Sequence, residues 1–267
     1  MPANPYKVGD EILVPIERLR RPQDREHAVV TRTVNAVDGA FVEVDDFPDP
    51  VTRGPDGRPK PQPAPPPRRL NSSIVQPANL GVLILRVGDF SSELTLLDPL
   101  AKSVLQYLRL LLPDDRVKAV SLRTWAELQA VWKAESDITT HVVLVSHGST
   151  DGVSFVDAKP KGGRELAAGL LALSPDTNSK IFLSLACQSG RATFLKELSS
   201  SALASHCLGP HQNVHGAVAS QFCQTFLSAL LLEGRTVSFA HKRAAAGAPA
   251  GISWRRWTDG KLTAIQR

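Results

Sequence analysis

From about residue 80 the chain repeats one pattern: a short run of consecutive apolar side chains, then a stretch with apolar positions three and four apart. The runs are Val82-Leu83-Ile84-Leu85-Arg86-Val87, Val117-Lys118-Ala119-Val120-Ser121-Leu122, Val142-Val143-Leu144-Val145, Ile181-Phe182-Leu183-Ser184-Leu185 and Val214 to Val218. Runs without alternation are expected for strands covered on both faces. Between them Leu100, Val104, Leu108 and Leu111 recur at helical spacing and stop at Pro113. Thr124-Trp125-Ala126-Glu127 has the form of a capping box ahead of Leu128 and Val131. Further helices are predicted at about 163–173, 191–204, 220–232 and 235–246, and a terminal β turn at Trp257-Thr258-Asp259-Gly260-Lys261. Alternating strands and helices imply a mostly parallel sheet flanked by helices, built with right-handed crossovers.

The first part of the chain has a different period. Glu11 to Ile16, Ala28 to Val34 and Ala40 to Val44 read as short strands, with Asp38-Gly39 as a hairpin turn needing positive φ. Ser73-Ile74-Val75 reads as a returning strand. A small SH3-like β domain over 1–47, completed by 71–77, is the expectation. Nine of the 20 prolines fall between Pro48 and Pro67. Pro61 to Arg69 is too poor in apolar side chains to pack, so 48–70 is expected to be a proline-rich linker or surface loop. Its PxxP spacing beside Arg also suits an SH3-type groove, but a stiff spacer is the simpler account. The domain of alternating strands and helices would then span 80–267.

Composition narrows the picture only slightly. Of 267 residues, 42% are apolar and 21% charged, ordinary globular values, with a net charge of +5. Residues 1–79 carry 11 basic and 11 acidic side chains. No Lys/Arg block exceeds two residues, so no nucleic-acid partner is expected. Three cysteines exclude a disulfide scaffold. No apolar run is long enough for a bilayer, and Met1 to Lys7 lacks the basic and apolar regions of a signal peptide, so a cytoplasmic protein is expected.

Sites in open parallel sheets form at the carboxyl ends of strands. The third run is followed by Ser146-His147-Gly148-Ser149, the fourth by Ala186-Cys187-Gln188-Ser189-Gly190. If those strands are neighbours, they lie about 4.8 Å apart and the imidazole and thiol share one crevice. A thiolate is the nucleophile, and a helix N-terminus, expected near Arg191, would favour it. His147 would stabilise the thiolate or act as acid and base toward the leaving amine. The N–H groups of Gly148 and Cys187 are candidate oxyanion donors. Taken alone, a Cys after a buried strand is usually a small core residue and a His before Gly a turn residue. Their matched placement favours a dyad.

Val143-Leu144-Val145-Ser146-His147-Gly148 and Phe182-Leu183-Ser184-Leu185-Ala186-Cys187-Gln188-Ser189-Gly190 resemble the two signature blocks of caspase-like (clan CD) cysteine peptidases. These include caspases, metacaspases, separases and prokaryotic CHAT-type peptidases. Ala217-Val218-Ala219-Ser220 and Phe226 to Val237 are similar to the segment after the nucleophile in the CHAT type, the nearest of these groups. The resemblance covers about 80–250. It implies a caspase-hemoglobinase-like fold, a His147–Cys187 dyad with no third member, and the same two oxyanion donors. It also implies a bacterial defence or programmed-death setting. Metacaspases carry Asp two residues before the nucleophile and caspases Gln; here that residue is Leu185, so neither specificity carries over. An apolar or small substrate side chain is expected beside Leu185, since an unpaired buried charge is costly. Ser220 and Gln221 are expected to form another wall, and Asp89, after the first strand, is a weaker candidate. No long insertion follows Cys187, so activation by a partner, through the N-terminal β domain, is expected rather than obligatory self-cleavage.

Other chemistries fit less well. A hydrolase nucleophile elbow needs Gly where Leu185 and Ser189 stand. His206, Cys207, His211 and His215 lie at no zinc spacing, in what reads as a solvated loop, so no metal is expected. Lys161-Gly162-Gly163-Arg164 lacks the order of a phosphate-cradling loop. No cofactor is expected. The functional expectation is a cysteine endopeptidase acting on a protein substrate, and the alternative is a catalytically silent scaffold of the same fold.

Overall fold

The computed structural model describes residues 4–19, 28–46, 55, 58, 64–89, 93–149, 152–175 and 179–266. They divide into two units, Met1–Ala78 with Ala229–Thr236, and Asn79–Ser228 with Val237–Arg267.

The first unit is a five-stranded antiparallel sheet. Its strands are β1 (Glu11–Pro15), β2 (Val29–Asp38), β3 (Phe41–Val44), β4 (Arg68–Asn71) and β5 (Gln76–Pro77), in the order β4-β3-β2-β1-β5. Alternation along β1 to β4 sends Ile12, Val14, Val34, Val42, Val44 and Leu70 into one small core. The β2–β3 hairpin pairs Asp38 with Phe41, so the turn residues are Gly39 and Ala40, not Asp38 and Gly39, and only Gly39 needs positive φ (+56°). The expected linker over 48–70 ends differently. Residues 47–54, 56–57 and 59–63 lie outside the described residues, while Arg68–Asn71 is a strand. Leu70 is what draws it in, being buried opposite Val42. The Ala229–Thr236 segment belongs to this unit: the Glu233 carbonyl accepts from the Arg18 guanidinium at 3.0 and 2.5 Å.

The second unit holds a seven-stranded mixed sheet. Its strands are β6 (Val82–Val87), β7 (Val117–Leu122), β8 (His141–Ser146), β11 (Lys180–Ser184), β12 (Ala204–Pro210), β13 (Trp254–Thr258) and β14 (Lys261–Gln266). The two short strands between, β9 (Gly148–Ser149) and β10 (Gly152–Val153), pair only with each other. The order is β14-β13-β12-β11-β8-β6-β7, with β7 through β12 parallel and the β13–β14 hairpin antiparallel at the edge. Asp259 and Gly260 close that hairpin, both at positive φ (49° and 69°), as the sequence predicts for a two-residue turn.

The helices are α1 (Asp98–Arg109), α2 (Trp125–Glu135), α3 (Gly163–Leu171), α4 (Gly216–Leu227) and α5 (Val237–Ala246). Thr124 and Glu127 form the predicted capping box of α2. The core on one face combines Trp132 and Leu128 of α2 and Leu166 and Leu170 of α3 with Leu85, Leu144 and Phe182 of the sheet. Phe222 of α4 stacks on Trp254 with centroids 3.6 Å apart, and α4 packs against both α1 and α5.

The carboxyl-terminal third corrects two expectations. The fifth parallel strand is Ala204–Pro210, not Val214 to Val218, and 216–227 is helical. His206 and Cys207 therefore lie in a strand rather than a loop: Cys207 is fully buried and His206 pairs with the Thr258 hydroxyl at 2.9 Å. The helix expected over 191–204 is a shorter stretch, Ala192–Lys196 continued by Glu197–Ser199. Among the described residues no helix is long and apolar enough to cross a membrane.

Two histidines are buried in this unit. Burial pushes His141, at the start of β8, down to about 4, and burial, then the nearby Arg256, does the same to His241 on α5. Both folded values lie below the unfolded 6.5, so the stability they contribute is complete above pH 6.5 and is lost as pH falls toward 4. Denaturant unfolding should show a loss of ~3 kcal/mol per histidine across that window. His241→Phe should keep neutral-pH stability and flatten the acid limb; an unchanged limb would place the acid sensitivity elsewhere.

Candidate active site

The site is built on the pairing of β8 with β11. These strands are parallel neighbours in register Leu144↔Ser184, and the Leu185 N–H donates to the Leu144 carbonyl at 2.8 Å. Both chains therefore leave the sheet at the same level, one into His147-Gly148 and the other into Ala186-Cys187. At Gly148 the backbones touch: a Cβ there would stand 1.8 Å from the Cys187 carbonyl oxygen and 2.6 Å from its nitrogen. Only glycine fits.

Cys187, half-buried, and His147, exposed, line one cavity of about 260 Å³. Gly148 and Leu185 line it too, as the sequence reading expects. The turn carrying the thiol is held from three sides. Gln188 sits at φ +60°, its N–H donating to the Gln212 carbonyl at 3.1 Å and its amide to Asn213 at 2.9 Å. The Gly190 N–H donates to the Pro210 carbonyl at 2.8 Å, and the Trp257 indole donates to the Gly190 carbonyl at 2.9 Å.

The group nearest the sulfur was not legible beforehand. The Val214 N–H donates to Cys187 Sγ at 3.4 Å, and the thiol faces the Val214 carbonyl at 3.6 Å. Val214 directly precedes His215, which caps α4 by accepting the Ala217 N–H at 3.2 Å. The helix end bordering the cavity is thus that of α4, whose Gly216 lines it, whereas the helical stretch after Cys187 starts only at Ala192. The signal was a capping His followed by Phe222 and Phe226 four apart.

The other predicted residues lie elsewhere. Ser220 and Gln221 are on α4 and line a second cavity of about 470 Å³, not the one holding His147 and Cys187, because they belong to a helix and not to a loop after a strand. Asp89 is exposed just past β6 and lines a third cavity, about 350 Å³, with His147 on its other side. That cavity lies over the β6–β8 pair, where the strand order switches direction. No three His, Cys, Asp or Glu among the described residues group to hold a metal ion. The other thiols differ in kind from Cys187: Cys207 and Cys223 are buried, and burial pushes both upward.

No protein-family model and no curated protein matches the chain. Among solved structures it is similar to an inactive zymogen of a C11 protease from Parabacteroides distasonis, at 13% identity and a TM-score of 0.44, over 68% of this chain and 62% of that one. The chain thus spans somewhat less than two thirds of that protein. The similarity assigns no role to any residue here.

Gly148→Ala should lower stability by ~1–3 kcal/mol, because the methyl group meets backbone rather than a movable side chain. Thermal unfolding, with the alkylation rate of Cys187 read by mass spectrometry, checks this. A variant with unchanged melting and unchanged alkylation would show the two backbones are not in contact.

Proposed function

We propose that this chain is a caspase-like cysteine endopeptidase that cuts a protein substrate with a Cys187–His147 dyad. The single observation carrying the reading is that the thiol and imidazole, from adjoining parallel strands, open on one cavity. The Cys187 thiolate adds to the substrate carbonyl carbon, and the charge on its oxygen is met by the N–H groups of Gly148 and Cys187. The C–N bond breaks as His147 gives its proton to the leaving amine. A water, losing a proton to His147, then releases the acyl group and restores the thiol. The chemistry needs no cofactor.

The narrower expectations belong to the same proposal. The N-terminal sheet is an SH3-like module joined by a proline-rich stretch, and it receives an activating protein partner. The enzyme is of the prokaryotic CHAT type, acts in the cytoplasm, and serves bacterial antiviral defence or programmed death. The CHAT type and the defence or death role rest on the sequence resemblance, the N-terminal module on its strand pattern and the connecting stretch on its proline content.

A fluorescent peptide ketone applied to the full chain tests the dyad. Wild type, Cys207→Ala and Cys223→Ala should label, Cys187→Ala should not, and His147→Ala should slow labelling by ~10²–10⁴-fold. Absence of labelling with and without candidate partners would make the chain a silent scaffold.

A further inference from the structure

The cavity beside Cys187 is walled mainly by aliphatic side chains, with Ser146, His147 and Asn213 as its polar lining beside the thiol. Leu96 and Leu97 come from the helical turn before α1, Leu100 from α1, Leu185 from the end of β11 and Val214 from the loop before α4. Leu97, Leu100 and Leu185 are buried and fixed, whereas Leu96 stands at the rim, 40% exposed. Among the described lining residues only His147 and Cys187 can ionise.

The second cavity adjoins it at Leu100 and Gly216, which line both. Its described lining has no ionisable group. Three of its polar groups are turned on one another: the Ser103 and Ser220 hydroxyls are 2.8 Å apart, and the Gln224 amide donates to both at 3.0 and 2.9 Å. A substrate segment lying along the seam therefore meets uncharged surface on both sides of Leu100. A guanidinium or carboxylate brought there loses its water and meets no counter-charge outside the dyad itself, while an apolar side chain covers the leucines.

We propose that this cleft selects protein segments carrying a bulky apolar side chain, Leu, Met or Phe, on the residue that supplies the attacked carbonyl. This rests on the peptidase reading of the same site. Leu96 and Leu185 are the specificity-determining residues: one guards the rim, the other forms the wall two residues before the nucleophile.

Two measurements on the full chain separate the inference from the reading beneath it. Wild type is offered peptides identical except for Leu, Phe, Arg or Asp at that position. Cleavage after Leu and Phe should exceed cleavage after Arg and Asp by on the order of 100-fold in kcat/KM. The same peptides, fluorescently tagged, are titrated into Cys187→Ala, where the Leu and Phe forms should bind at least ~10-fold tighter. Leu96→Glu, at an exposed position that leaves the core intact, should narrow the Leu-over-Arg ratio by ~10-fold or more. A preference for Arg or Asp, or equal binding of all four by Cys187→Ala, overturns the inference. Apolar-selective binding without cleavage by wild type leaves the pocket assignment standing and removes the peptidase reading instead.

Discussion

The hydrogen-bonded pairing of β8 with β11 is the constraint from which the site follows. A parallel ladder fixes two chains at the same height, and here it carries on beyond the last sheet residues through the Leu185 N–H to Leu144 carbonyl bond. A slip of one residue would turn every side chain on β11 to the opposite face and carry Cys187 away from His147. Phe182 resists that slip by packing in the core beside Trp132, centroids 6.3 Å apart. Core packing in the sheet thereby sets the chemistry at its edge.

The Cys187 thiol is also held from the far side, by the chain that leaves β12. Gln188 bonds to Gln212 and Asn213, and Val214 reaches the sulfur. The positive φ at Gln188 is held in place by these bonds, as an unusual backbone conformation must be. Val214 also leads into α4, so the start of that helix and the position of the thiol are fixed by one short loop. Close backbone packing recurs here: Gly190 fits against the Gly209 and Pro210 carbonyls, where a Cβ would stand at 2.4 and 2.8 Å.

Much of this was legible from pattern. β6, β8 and β11 are continuous apolar runs because both their faces are covered, whereas β7, at the sheet edge, exposes Lys118, Ala119 and Ser121; α1 has clean spacing and α2 a capping box. His147, Cys187, Gly148 and Leu185 lie together because they end neighbouring strands. β12 has no continuous apolar run, because Ser205 and His206 precede the residues that pair with antiparallel β13, and it ends in Gly209 and Pro210. Gly209 there marks close approach, since a Cβ would meet the Ser189 hydroxyl at 2.5 Å. With the fifth parallel strand at β12, the Val214 to Val218 segment leads into α4, which carries Ser220 and Gln221 to the neighbouring cavity. Val214 and the α1 leucines act through tertiary placement alone. β4 was hidden by the prolines before it.

The contact between Gly148 and Cys187 has a consequence for how this chain can drift over time. Position 148 is closed to every side chain by main-chain atoms, whatever the thiol does. A descendant that had given up its chemistry would keep the His-Gly step's second residue merely to stay folded. Persistence of that glycine across a lineage thus records architecture, and the lineage's imidazole and sulfur, which no such clash protects, are the letters in which selection for turnover would be written.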